Sequence, residues 1–443
     1  MDPRLQGRMK AVRGLRTTPV SALASESRRH LRALLDRLVG DEADYYARAI
    51  RHVEGRSTVA RHREFPFGMI ILKPVGPRCN LRCDYCYQLN ITTNTERTLR
   101  YAHLASQPVM TLDLVERICR QIGPHLEDRE HFVVNWHGGE PMLAGLDFYR
   151  RALDLFARWL PSSVRVSHIL QTNATLIDAE WCAFFKAHGF IVNLALDGPR
   201  ETFDQHRRYR GEHASPYQNL VQVLHLLQEQ SIPYAVISVF APGDRPSPRA
   251  LLDFWEEQGL RSALGVKILP SYHVDEAMRC PPLHYADYLI ELFDRWVSTY
   301  TPGSLRITNF HDPLRGLLGL PIEECYTNCG DRLLCFETNG DAWLCSTPFT
   351  REEYRFGNLV EQELSEIVNS RRRLEFLDRR HALLEDCRAT CEVFPLCWGS
   401  CSYHVTLGKD ERWEGKTWYC EGLRKFFGHV RKWVDTTLGV PGV

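Results

Sequence analysis

Three thiols spaced C-x3-C-x2-C, in Cys79-Asn-Leu-Arg-Cys83-Asp-Tyr-Cys86, are the residues of this sequence best arranged for chemistry. Three thiolates held so closely can ligate three irons of a [4Fe–4S] cluster and leave the fourth iron open to a substrate or cofactor. A structural zinc site normally closes with four ligands, so a zinc knuckle is the alternative reading. Tyr85 and Tyr87 flank the last thiol, where they would pack against a cluster and limit solvent access. More cysteines follow near the C-terminus: Cys325, Cys329, Cys335 and Cys345, then Cys387, Cys391, Cys397, Cys401 and Cys420. Twelve of the fifteen cysteines fall in groups, which favours metal ligation over disulfides or scattered core thiols. Of the three that stand alone, Cys119, Cys182 and Cys280, the first two lie on amphipathic stretches and read as core.

These ligands need a scaffold. A chain of 443 residues can hold two or three domains. Its 55 basic and 55 acidic residues cancel, so overall charge predicts neither nucleic-acid nor membrane binding. There is no apolar run of spanning length, and a cytoplasmic protein is expected. Residues 1–64 read as a basic helical extension, with Arg4, Arg8, Lys10, Arg13 and Arg16 ahead of helical periodicity over Ser27–Val39 and Asp44–Val53. It is either a solvated arm or a docking element for an acidic peptide.

Residues 65–300 alternate between apolar strand runs (69–73, 132–136, 164–170, 190–196, 234–240, 264–269) and helical runs. Six such repeats imply an α/β fold with a parallel sheet covered by helices; a partial (β/α)6 barrel and an open doubly wound sheet both satisfy the pattern. In either, chemistry collects at the C-terminal ends of the strands. There the chain carries Cys79–Cys86, then His137-Gly138-Gly139-Glu140-Pro141, Gln171-Thr172-Asn173, Ala195-Leu196-Asp197-Gly198-Pro199 with Asp204 and Arg207 following, and Val266-Lys267-Ile268-Leu269-Pro270. A tight turn explains Gly-Gly by itself, a turn cap explains Asp197-Gly198, and a buried strand end explains Ile268. Residues 301–324 read as a linker with Pro302, Gly303, Pro313 and Pro321. Residues 325–425 read as a cysteine-rich domain with a hairpin turn at Asn339-Gly340 and a short helix near 362–377, and 426–443 as a tail.

Taken together, these motifs resemble radical S-adenosylmethionine (SAM) enzymes, whose cluster motif is C-x3-C-x-aromatic-C with Tyr85 in the aromatic position. The order of strand-end motifs is similar to the anaerobic sulfatase-maturase branch, and the C-terminal cysteines resemble a SPASM domain. The resemblance implies the partial barrel, a SAM-binding cluster on Cys79, Cys83 and Cys86, and two auxiliary clusters, three [4Fe–4S] clusters in all. It implies that Gly138, Gly139, Glu140 and Pro141 hold the SAM amino group. Gln171, Thr172, Asn173 and Asp197 would line the SAM pocket, Arg207 would pair with its carboxylate and Ile268 would wall the adenine. It further implies Cys325, Cys329, Cys345 and Cys401 on the nearer auxiliary cluster and Cys387, Cys391, Cys397 and Cys420 on the farther one, leaving Cys335 as a spare in a strand.

Two departures matter. Cys387-x3-Cys391 has one residue more than the usual C-x2-C. Sulfatase maturases carry an aspartate, their proposed base, after the hairpin-closing cysteine, whereas this chain reads Cys345-Ser346. Serine cannot do that work at neutral pH. The expectation is therefore a peptide maturase that installs an intramolecular crosslink, of carbon–carbon cyclophane type or a thioether, on a ribosomally made precursor. Sulfatase maturation, peptide epimerisation and a zinc-stabilised binding module are the alternatives. The expected partners are the precursor peptide, its leader held by the basic extension, and an electron donor such as flavodoxin or ferredoxin.

Overall fold

The computed structural model describes residues 8, 10–11, 28–29, 31–34, 65–88, 109–211, 214–271, 276–299, 304–318, 322, 329–331, 333–346, 354–405 and 416–439. All six expected strands are present as β1 (Met69–Leu72), β3 (His131–Trp136), β4 (Arg165–Thr172), β5 (Ile191–Ala195), β7 (Tyr234–Phe240) and β8 (Val266–Pro270). They are parallel and lie in sequence order β1-β3-β4-β5-β7-β8. A doubly wound sheet would reverse its order at a switch point; this one does not, and its outer strands β1 and β8 do not pair, so the barrel is partial.

Helices α1 (Leu112–Ile122), α2 (Leu146–Trp159), α3 (Ala179–His188), α4 (Tyr217–Glu229), α5 (Pro248–Glu257) and α6 (Pro282–Thr299) connect and cover the strands. Asp178 caps α3 by accepting from Trp181 N, and Gly189, with φ of +64°, ends it in the left-handed conformation glycine tolerates. Cys119 and Cys182 are buried on α1 and α3, as the periodicity predicts. Inside the barrel, Val133, Ile169 and Ile191 form a small apolar floor against which Met69 and Leu264 pack. The same alternation brings Lys73, His137, Gln171 and Asp197 to the inner face above it.

Two further strands hold the cluster loop. β2 (Leu81–Cys83) pairs antiparallel with β6 (Arg207–Tyr209), setting Cys83 opposite Arg207. The C-terminal hairpin, β9 (Leu333–Phe336) with β10 (Asp341–Trp343), turns at Asn339-Gly340 and pairs onward with β11 (Arg355–Asn358). It is not separate from the barrel: β9 pairs in parallel with β1, so one nine-stranded sheet runs from β11 to β8.

The stretch read as a linker instead carries α7 (Thr308–Leu317), with Pro313 inside it and Phe310 and Leu314 fully buried. The short helix near 362–377 is a five-residue turn and then α8 (Arg371–Thr390), split at Asn369-Ser370. The tail is α9 (Cys420–Leu438), packed along α6 with Phe426, Phe427, Val430 and Val434 buried. Of the N-terminal extension, Leu31 and Leu34 are buried and Arg8 grips the α9 carboxylate of Asp435 at 2.7 and 3.0 Å; Asp44–Val53 lies outside the described residues. Among the described residues, no helix is long and apolar enough to cross a membrane.

Candidate active site and cluster sites

Cys79, Cys83 and Cys86 lie on the loop after β1, half-buried. Burial pushes the Cys79 thiol up to about 12, opposed by the Leu81 amide, which donates to its Sγ at 3.3 Å. Cys83 is raised further by burial, while Arg207, whose Nη1 points at its Sγ from 3.9 Å, works the other way. Such thiols lose their protons only to a metal, and amide and guanidinium donors aimed at the sulfurs are what a cluster's thiolates need. These residues fit an iron–sulfur group.

Gly138 and Gly139 let the cluster loop come close. A Cβ on Gly139 would lie 2.0 Å from Arg78 O, and one on Gly138, whose φ is +116°, would lie 2.6 Å from Gly76 O. The amides of Gly139 and Glu140 donate to those two carbonyls, both at 2.8 Å. What approaches this pair is the backbone that carries Cys79.

Glu140 is fully buried and tied to the end of β4, accepting from Thr172 Oγ1 at 2.9 Å, Asn173 N at 2.8 Å and Met142 N at 3.0 Å. Burial raises its carboxyl to about 7 against those donors. Pro141 opens the next turn. Thr172 therefore faces Glu140 rather than an open pocket. Asn173 reaches the cluster loop, donating to Asn80 Oδ1 at 2.9 Å and approaching Cys79 Sγ at 3.5 Å. Gln171 spans to Asn193 O.

Arg207 has a protein partner. It meets Asp197 through two nitrogens at 2.8 and 3.1 Å, and the Tyr85 hydroxyl donates to the same carboxylate. Val239 N caps Asp197 Oδ1 at 2.9 Å, and the guanidinium lies 5.3 Å over the Tyr85 ring. Burial opposes the Arg207 charge, but Asp197 and its neighbours hold it well above its ordinary value. Asp204 lies apart from this set, bound to Arg200 and Ser215.

Asp197 also lines a cleft with His206, Phe240, Arg245, Ile268 and Tyr288. Ile268 is only 1% exposed there, packed with the helix-side core; the β8 residues that alternate with it, Lys267 and Leu269, are the partly exposed ones. His137 stays neutral: burial first, then Lys73, lowers it to about 3, and its Nδ1 accepts from Gly138 N.

At the C-terminal end, Cys387, Cys391, Cys397 and Cys420 line one cavity, with Lys416 and Arg424 beside them. Cys387 sits in the last turn of α8 and Cys391 caps it, its N–H donating to Cys387 O at 2.9 Å. Four residues on a helix return to the same side, so the extra residue of the x3 spacing keeps both thiols on the cavity. Four thiols gathered on one cavity are the ligand type and number a four-iron group takes.

Trp398, Gly399 and Ser400 follow, all at left-handed φ (+48°, +67° and +59°). Non-glycine residues held there mark a turn the surroundings impose. Beyond it Cys401 adjoins Ser402, whose hydroxyl donates to Cys329 Sγ at 3.1 Å. Cys345 follows β10, and Cys325 lies outside the described residues. Cys335 is fully buried in β9, across from Ile71.

Sequence reasoning missed Lys73 and Glu337, a buried ion pair at 2.5 Å, and the hydrogen bond of Tyr87 to Ser346. A lysine ending an apolar strand and an acid just before Asn-Gly were the available signals.

A family model described as the radical SAM superfamily matches residues 74–254, and one described as an iron–sulfur cluster-binding domain, SPASM, matches 325–392. The cysteine-type anaerobic sulfatase-maturating enzyme of Clostridium novyi is 28% identical, aligned with 81% of this chain and 94% of its own. The serine-type enzyme of Klebsiella aerogenes is also 28% identical, over 85% and 87%. The fold matches that of anSMEcpe with bound AdoMet (TM-score 0.72, 21% identity, 84% of this chain and 100% of that one). It also matches Streptococcus suis SuiB bound to the precursor peptide SuiA (0.56, 14%, 81% and 77%). The barrel and the C-terminal hairpin coincide with these two matches: the chain carries a radical SAM domain and a SPASM domain, whose chemistry rests on iron–sulfur clusters and SAM.

Proposed function

We propose that this enzyme oxidises a side chain of a ribosomally made precursor peptide and closes an intramolecular crosslink, a carbon–carbon link ahead of a thioether. The observation that carries this reading is Ser346. It stands after Cys345, where sulfatase maturases carry an acid, and its hydroxyl is bonded to Tyr87. An aromatic ring need not lose a proton before it is attacked, so a carbon–carbon link does not need that acid. Sulfatase maturation is the second reading, favoured by the extent of the match to both curated enzymes.

When bound, SAM and its cluster supply a carbon-centred radical that takes hydrogen from an unactivated C–H bond. The residues here orient and enclose. Cys79, Cys83 and Cys86 would hold the cluster, and Glu140 would receive the SAM ammonium. Arg207 would reach the SAM carboxylate with Nη1, its other contacts being taken by Asp197. The C-terminal cysteines would hold two auxiliary clusters that pass an electron outward, and flavodoxin or ferredoxin would supply the reducing electron.

Co-expression with small neighbouring reading frames, followed by mass spectrometry, tests the reading. A loss of two hydrogens per modified site supports a crosslink. Formylglycine on a sulfatase peptide would replace it with the second reading, and unchanged mass with deuterium uptake would indicate epimerisation. Anaerobically purified protein should hold about twelve irons per chain, from three four-iron clusters. Cys397→Ala should lower that by about four, and an unchanged iron content would remove the farther cluster. SAM affinity should weaken roughly tenfold between pH 8 and pH 6, because the ammonium needs the Glu140 carboxylate and burial keeps that group protonated below about 7. A flat profile by equilibrium dialysis would take Glu140 out of SAM binding.

A further inference from the structure

Three neighbouring strands end in one row of titratable side chains. The register sets Leu72 opposite Trp136 and Phe336, and the next amides continue it: Lys73 N donates to Phe336 O and His137 N to Leu72 O. Lys73, His137 and Glu337 thus form the following rung. They share a face with Met69 and Val133, which belong to the barrel floor, so the row lines the inside of the barrel. Lys73 Nζ donates to Glu337 Oε1 at 2.5 Å, both side chains nearly inaccessible. The other oxygen, Glu337 Oε2, is buried and accepts no hydrogen bond among the described residues, and nor do Asn135 Oδ1 one rung below and Asn193 Oδ1 further round the barrel. Acceptors kept from water without donors call for a proton, a water or a donor from a ligand.

We propose that Glu337 Oε2 is the acceptor for the proton the substrate loses. This rests on the oxidative reading above. Hydrogen-atom abstraction from a closed-shell peptide leaves a radical, which reaches a closed-shell product by giving up one proton and one electron. The hydrogen atom leaves on 5′-deoxyadenosine, the proton goes to Glu337 Oε2, and the electron goes to an auxiliary iron–sulfur cluster. Ser346 cannot take that proton. Lys73 is the pivot: it precedes the loop carrying Cys79, and by holding Oε1 it fixes where Oε2 points. Glu337 lies eight residues before Cys345, just past β9, the strand that pairs with the one leading into the loop that starts the reaction. The groups bearing on it are Lys73 from β1 and Cys335 from its own strand, with Tyr87 and His137 acting on Lys73 and beside it.

Glu337→Gln keeps the size and an acceptor for Lys73, and it separates the steps. With the precursor peptide identified by co-expression, deuterated at the target side chain, the variant should still form deuterium-labelled 5′-deoxyadenosine. Oxidised peptide per 5′-deoxyadenosine should fall about 100-fold or more. A ratio equal to that of the wild type overturns the proposal. Loss of iron or of SAM cleavage in the variant also overturns it, since the pair would then be a structural pin. If the wild type oxidises no peptide, the oxidative reading fails instead, and infrared difference spectra of the peptide-free protein decide about Glu337. The substitution must remove the band of an ionised carboxylate; removal of a protonated carboxyl band overturns the proposal.

Discussion

Alanine at position 139 should empty the first cluster site while leaving the C-terminal ones filled. Its Cβ would lie 2.0 Å from Arg78 O and 2.6 Å from Pro77 O, and both are backbone atoms that no rotamer change can move aside. The loop must retreat, and it breaks the bonds from the Gly139 and Glu140 amides as it goes. Overpacking a close contact costs about 1–3 kcal/mol, which the large barrel core can absorb, so the protein should still fold. The cysteines displaced with the loop are the ones that must converge to within a cluster's reach. SAM cleavage should therefore fall by more than about 100-fold, and iron should drop from about twelve to about eight per chain. Full iron with normal cleavage would mean that the loop tolerates the shift and that this glycine has no special role.

Asp197→Ala should be the most destabilising single change at the site. Asp197 answers Arg207, Tyr85 and Val239 at once, and its removal leaves a buried guanidinium with no counter-charge. Breaking such a pair from one side costs about 3–5 kcal/mol, whereas replacing both partners by apolar residues is often neutral. Asp197→Leu combined with Arg207→Met should accordingly recover most of the stability in denaturant titrations. SAM affinity should stay at least about tenfold weaker in the double variant if Arg207 contributes its Nη1 to the carboxylate. Normal SAM binding by the double variant would reduce the pair to a strut between β5 and the cluster loop.

How much could be read beforehand depended on the range of the interaction. Continuous apolar runs such as Phe132–Trp136 and Tyr234–Phe240 need only their own residues to declare a buried strand, and those strands stand where expected. The thiols lining the farther cavity came only from the resemblance: the sequence reading ended the helix near 377, whereas α8 runs on to Thr390 and brings Cys387 and Cys391 to one side. Pairings between distant residues left no such trace. Nothing near Arg207 shows that its partner is Asp197 rather than a ligand, and nothing in Leu333–Phe336 shows that β9 belongs beside β1. Pro313 misled for a simpler reason: proline usually breaks a helix interior, but burial of Phe310 and Leu314 carries α7 through it.

The pairing of β9 with β1 also bears on how the molecule is made. Lys73 and Glu337 are 264 residues apart in the chain. At a translation rate of about 5–20 residues per second, β1 waits about 13–50 s on the ribosome for the strand that covers it. Throughout that interval the barrel presents an open edge of apolar strand, the kind that pairs with other chains. Production should reward slow, cool synthesis with iron and sulfide already supplied. A chain truncated ahead of the hairpin, at about residue 320, would keep that edge bare for good and should be recovered mainly as aggregate.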